Sequence, residues 1–259
     1  MNRTRQNIDL ISRGVWIELI RKKDLYVLAM LIGVFGIGTL TSHFVGIEEP
    51  ATATFLFNMG LTLSHLFAHS LVALLIIRQV PNDLENRSIY PILARPIRRA
   101  HYLLGKWWAA GISGALTYGL FVTWICLTVP RMEEFSRALF LQNLLLQISS
   151  LFLFSAAGLL LSLVLPKAVG LLILVTALLI YQPIIGLIRS LSSGGAWTAL
   201  VNWFILLWPD FTKLNLTTRF TDGLDALPLP VFAGLLLQAV FFCLLCLSRS
   251  QACFERRSL

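Results

Sequence analysis

Residues 78–106 read Arg78-Gln-Val-Pro-Asn-Asp-Leu-Glu-Asn-Arg-Ser-Ile-Tyr-Pro-Ile-Leu-Ala-Arg-Pro-Ile-Arg-Arg-Ala-His-Tyr-Leu-Leu-Gly-Lys106. This long charged segment lies between two apolar runs, 53–77 and 107–129, each long enough to cross a membrane. A helix needs about 20 apolar residues to traverse a hydrocarbon layer roughly 30 Å thick. Working outward, four more runs meet that length: 25–44, 140–165, 168–188 and 229–248. The whole chain has 259 residues, 57% hydrophobic and 13% charged, with mean hydropathy +0.77. So few charges do not cover a soluble globule, and lipid must solvate most of the surface. The predicted fold class is therefore an all-α membrane protein with six transmembrane helices in a single domain, 1–259, leaving no room for a soluble catalytic domain.

The net charge of +8 raises nucleic acid as a partner, and its distribution argues against one. Arg3, Arg5, Arg13, Arg21, Lys22 and Lys23 precede the first run, and Arg78, Arg87, Arg95, Arg98, Arg99 and Lys106 fall between the second and third. Lys167 lies between the fourth and fifth, and Arg249, Arg256 and Arg257 follow the sixth. The opposite side holds only Arg131, Arg137, Arg189, Lys213 and Arg219. That asymmetry is the positive-inside pattern and predicts a multi-pass protein with both termini in the cytoplasm. The first apolar run begins near residue 25 and is long enough to span, unlike a cleavable signal peptide.

Two flanking segments carry further expectations. In 1–24, Ile8, Ile11, Val15 and Leu19 recur at helical spacing beside Trp16 and Ile20, with Asp9, Ser12, Arg13 and Glu18 elsewhere on the wheel. This predicts an amphipathic elbow helix lying along the cytoplasmic membrane face. In 189–228, the apolar stretch Ala199-Leu-Val-Asn-Trp-Phe-Ile-Leu-Leu-Trp208 reaches only about 15 Å, half the hydrocarbon thickness. It predicts a re-entrant extracytoplasmic helix ending near Pro209, with Trp197, Trp203 and Trp208 in the aromatic belt and Ser192 to Gly195 as a turn.

No Asp, Glu, Lys or Arg occupies the middle of any span, which argues against an ion-driven carrier. His65-Leu-Phe-Ala-His69 puts two imidazoles on one helix face, a spacing that can share a metal. The Glu of a zinc-protease motif is missing, and neutral contacts across a helix interface are the preferred reading. Gly111-Ile-Ser-Gly114 resembles the nucleophile motif of rhomboid proteases, yet no His follows His101 to act as its base. Small residues that let helices pack closely explain Gly111, Ser113 and Gly114 better. Asn82-Asp-Leu-Glu-Asn-Arg lacks the repeated aspartates of a magnesium-dependent prenyltransferase, and Thr221-Asp-Gly-Leu-Asp225 is a fragment of a phospholipid synthase motif. Cys243-Leu-Leu-Cys246 has no second pair or nearby His, so it reads as small apolar filler, with Cys126 and Cys253 equally unpaired. No phosphate-binding Gly-x4-Gly-Lys-Ser/Thr occurs, so ATP must be handled by another polypeptide.

Within the central loop, Pro81 predicts the start of a short helix, with Asn82, Asp83 and Glu85 near its positive end and Leu84, Ile89, Ile92 and Leu93 forming an apolar side. Charge and exposed apolar residues together suit docking of a soluble partner, whereas contact with anionic lipid accounts only for Arg95, Arg98 and Arg99. The order of acidic residue, apolar stretch, basic-Pro step and Gly-Lys entry from Asp83 to Lys106 resembles the permease subunits of ABC transporters of the type-2 exporter class. The elbow, six spans and cytoplasmic termini are consistent with that family.

The resemblance implies a plasma-membrane permease of a bacterium, paired with a second copy or a sister permease and joined to two separate ATPase subunits that bind ATP and Mg. The chain would be no enzyme and would carry no cofactor. Within 78–106, a coupling helix would seat Asp83, Leu84, Glu85, Asn86, Arg87, Ile89, Tyr90 and Leu93 in a groove of the ATPase, and Arg13, Trp16 and Glu18 of the elbow would flank the contact. A charge-free interior suits a lipid, a lipid-linked glycan or an amphipathic peptide as substrate. The competing readings are an intramembrane enzyme or metal-handling protein centred on His65 and His69, and a membrane scaffold without transport.

Overall fold

A computed structural model describes residues 50–85, 99–128, 136–179, 211 and 213–256, together with the isolated positions 14, 17, 33, 36 and 37. Among these residues there are six helices and no strand: α1 Pro50–Glu85, α2 Arg99–Thr128, α3 Arg137–Val164, α4 Lys167–Leu179, α5 Thr217–Thr221 and α6 Leu229–Glu255. Four of them, α1, α2, α3 and α6, are long and apolar enough to cross a membrane. The apolar runs 53–77, 107–129, 140–165 and 229–248 fall on these four helices. A helix is the form that satisfies every backbone N–H and C=O internally, which is why an apolar chain facing lipid adopts it. The fifth run begins on α4, which is described as far as Leu179, and the rest of it lies outside the described residues. So do the first run and the elbow, apart from Gly14, Ile17, Gly33, Gly36 and Ile37, all helical.

The helix ends follow local chemistry. The Ser136 hydroxyl accepts from the Leu139 N–H and caps α3, supplying one partner for the orphan donors of its first turn. Pro228 and Pro230 bracket the start of α6, where the missing N–H costs no helical bond. The other end of α1 departs from the sequence reading. The apolar run stops at 77, but the helix continues through Glu85 with Pro81 inside it, making 36 residues and a rod of about 54 Å. Pro81 therefore does not open a separate helix. The physical reason is the stripe Val72, Ala73, Ile76, Ile77 and Val80, all buried, with Leu84 packed against the core. That helical periodicity runs through the point where the composition turns polar, and its burial offsets the hydrogen bond that Pro81 cannot donate.

α1, α2 and α3 alternate in direction, Asp83 meeting Lys106 at one end of the α1–α2 pair and Tyr118 meeting Asn143 at the far end of α2, whereas α6 runs parallel to α3, with Leu227 beside Gln142 and Cys243 beside Phe152. α1 packs on α2, α3 and α4, and α6 packs on α3 and α2. With lipid outside, close van der Waals fit must supply what burial from water supplies in a soluble protein. Glycines make that approach feasible: a Cβ on Gly114 would strike the Val72 side chain, and one on Gly158 would strike Ile76. Gly111 lies equally close to the Phe152 ring, so the Gly111–Gly114 stretch acts in packing. α2 and α3 are also cross-tied, the Trp107 indole donating to the Phe152 carbonyl at 2.9 Å and the Ser155 hydroxyl to the Trp107 carbonyl at 3.1 Å.

The expected re-entrant stretch 199–208, with Trp197 and the 192–195 turn, lies outside the described residues, and after it Phe211 and residues 213–221 pack into the bundle. Phe211, Leu214, Leu216 and Phe220 are buried, with Phe220 edge-on to Phe57 at 5.1 Å and Phe211 edge-on to Phe154 at 5.2 Å. Asn143 of α3 holds this segment, accepting from the Leu216 N–H at 3.0 Å while donating to the Tyr118 hydroxyl at 3.2 Å. The Gln142 amide pairs with both backbone groups of Leu227, at 2.7 and 2.9 Å, and pins the chain just before α6.

Candidate functional site

The end of α1, the start of α2, the start of α4 and the end of α6 meet in one charged cluster. Asp83, in the last turn of α1, receives the Tyr102 hydroxyl at 2.5 Å and the Lys106 ammonium at 2.9 Å, both on Oδ2. Tyr102 and Lys106 lie one turn apart on α2, the spacing that lets both reach the same carboxylate. The Lys106 and Asp83 side chains are only 7% and 19% exposed, so this pair sits at the protein's edge but largely out of solvent. Arg99 crosses to the end of α6, donating to the carbonyls of Phe254 and Glu255 at 3.3 and 3.4 Å. The Phe254 ring lies under this guanidinium and stacks on Tyr102.

The electrostatics invert the sequence expectation. Asp83 and Glu85 occupy the negative end of the α1 dipole, where a carboxylate is unfavourable by itself. Cations borne by neighbouring helices offset that. Lys106 comes from α2, and Lys167 at the first residue of α4 donates to Asn82 at 2.7 Å and to Glu85 at 2.5 Å. Arg99 performs the same service for the last carbonyls of α6. Lys167 and Glu85 are 35% and 64% exposed, and exposed pairs contribute about 0–1 kcal/mol. Lys167→Ala is therefore expected to lower unfolding stability by less than about 1 kcal/mol, checked by chemical unfolding of the purified chain and smaller still at high salt.

Beside this pair is a cavity of about 380 Å³ lined by Pro81, Leu84, Glu85, Leu165, Pro166 and Lys167 among others. Of the residues expected to meet an ATPase, Asp83, Leu84 and Glu85 come together here. Asp83 is turned into the bundle, Leu84 is half-buried and Glu85 is exposed. Asn86, Arg87, Ile89, Tyr90 and Leu93 lie outside the described residues, as do Arg13, Trp16 and Glu18. Sequence reasoning missed Tyr102 and Lys167 as partners; the signal for Tyr102 was its one-turn spacing from Lys106.

His65 and His69 belong to a second polar cluster inside the bundle. The His69 Nδ1 lies 2.9 Å from the His65 carbonyl and its Nε2 lies 3.0 Å from the Ser150 hydroxyl. His65 Nδ1 meets the Gln147 carbonyl oxygen at 2.7 Å. Both imidazoles thus bridge α1 to α3, in line with neutral contacts across a helix interface. No group of three or more His, Cys, Asp or Glu able to hold a metal occurs among the described residues. Cys243 lies in the core with its thiol 3.9 Å from the Phe152 carbonyl, and all four cysteines are free.

Comparison with known proteins finds neither a family model nor a curated protein that matches the chain.

Proposed function

We propose that the chain is the membrane-spanning permease subunit of an ATP-binding cassette exporter, moving a lipidic, glycan-bearing or peptidic substrate under the drive of separate ATPase subunits. The observation that carries this reading is the segment Asp83 to Lys106: its order of residues resembles the coupling loop of type-2 exporter permeases, and its two ends are clamped together by Asp83, Tyr102 and Lys106. A loop with a rigid base transmits displacement from a docked partner to the helices, and a loop with a loose base dissipates it. Glu85 and Leu84 stand at the rim of this base, and the resemblance assigns the rest of the ATPase contact to Asn86, Arg87, Ile89, Tyr90 and Leu93. Packing of 211–221 among α1 and α3 supports a re-entrant segment before the last span. In this reading the protein is multi-pass, resides in a bacterial plasma membrane with both termini in the cytoplasm, pairs with a second permease, and contacts two ATPases that carry ATP and Mg.

The test is affinity purification of the tagged chain in mild detergent, with mass spectrometry of co-eluting proteins and an ATPase assay on wild type and Glu85→Ala. A stoichiometric P-loop ATPase is expected, with its stimulation lost or reduced at least several-fold in the variant. Purification without any nucleotide-hydrolysing partner would sink the proposal. Bound metal lost on changing His65 and His69 to Ala would transfer the function to the histidine cluster.

A further inference from the structure

A second cavity, of about 490 Å³, opens between α1, α4 and the 211–221 segment. Its polar wall is Thr62, His65, Asn215 and Thr218, and its apolar wall is Leu66, Leu178 and Leu179. Among the described lining residues no side chain carries a fixed charge, so none of them is a counter-ion for an anionic or cationic ligand. The polar wall belongs to a stripe on α1, Asn58, Thr62, His65 and His69, at helical spacing.

The hydrogen bonds already made define what remains for a ligand. Thr62 donates to the Asn58 carbonyl at 2.8 Å, which leaves its oxygen as an acceptor. His65 presents Nδ1 to the Gln147 carbonyl oxygen. This engages Nδ1 and leaves Nε2 of the ring for a ligand, as acceptor or donor according to the tautomer. Asn215 uses Oδ1 for the Thr217 N–H and hydroxyl, leaving its amide N–H groups as donors. Thr218 adds an exposed hydroxyl that both donates and accepts. Donors and acceptors stand side by side on this wall, which is the complement of a head group whose hydroxyls both donate and accept. Next to this wall the structure leaves buried polar atoms without partners: Asn58 Oδ1, one turn from Thr62, and Gln147 Nε2, on the amide that orients His65. An unmatched buried polar group in a protein interior costs free energy unless a further group satisfies it.

We propose that this cavity binds an uncharged amphiphile, its hydroxyl-bearing head against Thr62, His65, Asn215 and Thr218 and its hydrocarbon tail along Leu66, Leu178 and Leu179. Within the permease reading this names the substrate class. Binding needs neither ATP nor a partner subunit, so failure here leaves that reading standing and failure of the ATPase test leaves this one.

The chain is placed in phosphatidylcholine nanodiscs and photolabelled with an alkyl glucoside bearing a diazirine in its tail. The same tail with a carboxylate or trimethylammonium head serves for comparison. The glucoside is expected to label peptides carrying Leu178–Leu179 or 213–221, with competition by octyl glucoside. Thr218→Val should lower that labelling about five-fold, the effect of losing one neutral hydrogen bond. Thr218 is exposed, so this isosteric change leaves the packing intact, and Leu178→Trp, which fills the cavity from its apolar side, should abolish labelling. Equal labelling by all three heads, a preference for either charged head, or labelling indifferent to both substitutions would overturn the proposal.

Discussion

Lys106→Met is expected to destabilise the protein by about 3 kcal/mol, the low end of what breaking a desolvated ion pair costs, because Asp83 keeps other partners. Met keeps most of the length and apolar bulk of the lysine stem, so the loss reports charge, not packing. Asp83 would keep the Tyr102 hydroxyl and its remaining contacts, so the loss measures what the Lys106 charge adds to them. The double variant Asp83→Asn, Lys106→Met removes both charges and should recover most of the loss, because a neutral pair at this site has no uncompensated ion. Unfolding in SDS or urea, followed by helicity for the wild type, both single variants and the double variant, closes the cycle. A double variant as unstable as the sum of the singles would show that the clamp is not an electrostatic unit.

Gly158→Leu should cost about 3 kcal/mol, at the upper end of overpacking effects, and sharply reduce the yield of monodisperse protein. A Cβ at this position already runs into Ile76 of α1, with Leu174 of α4 3.2 Å away, so a full isobutyl group must push three helices apart. Gly119 and Gly234 are internal controls, since a Cβ at either meets nothing within 4 Å. Leucine there gains about 1 kcal/mol of helix propensity over glycine, and its Cβ meets no neighbour. Equal losses at Gly158 and Gly119 would remove close approach of α1, α3 and α4 as the explanation.

Four of the six expected spans fall on long apolar helices, and they were legible because lipid imposes a length and a composition that no loop imitates. The ends of the helices were not, because a helix stops where its hydrogen bonds and side packing stop, and the polar boundary is a different place. α1 passes the boundary at Arg78 on the strength of Val80 and Leu84, a stripe visible in the sequence once the charged letters are ignored. The charged cluster was half legible. Asp83 and Lys106 were both part of the recognised segment, but their pairing required α1 and α2 to return to the same height, and Lys167 reaches Asn82 and Glu85 from 85 and 82 residues away. The histidine pair shows the same division. Its spacing placed both rings on one face, yet their partners Gln147 and Ser150 lie on α3. There, the recurrence of Asn143, Gln147 and Ser150 in an otherwise apolar helix marks the facing stripe.

Pro81 gives α1 a mechanical character that its length alone does not convey. The rung missing between Pro81 and the Ile77 carbonyl makes this the most compliant turn of an otherwise stiff rod. It falls where the helix leaves its deeply packed part and before the turn that carries Asp83 and Glu85. A load applied at the tip is taken up there as a change of angle. Bending at Pro81 thus lets the charged turn change angle while the face that holds His65 and Thr62 stays in place.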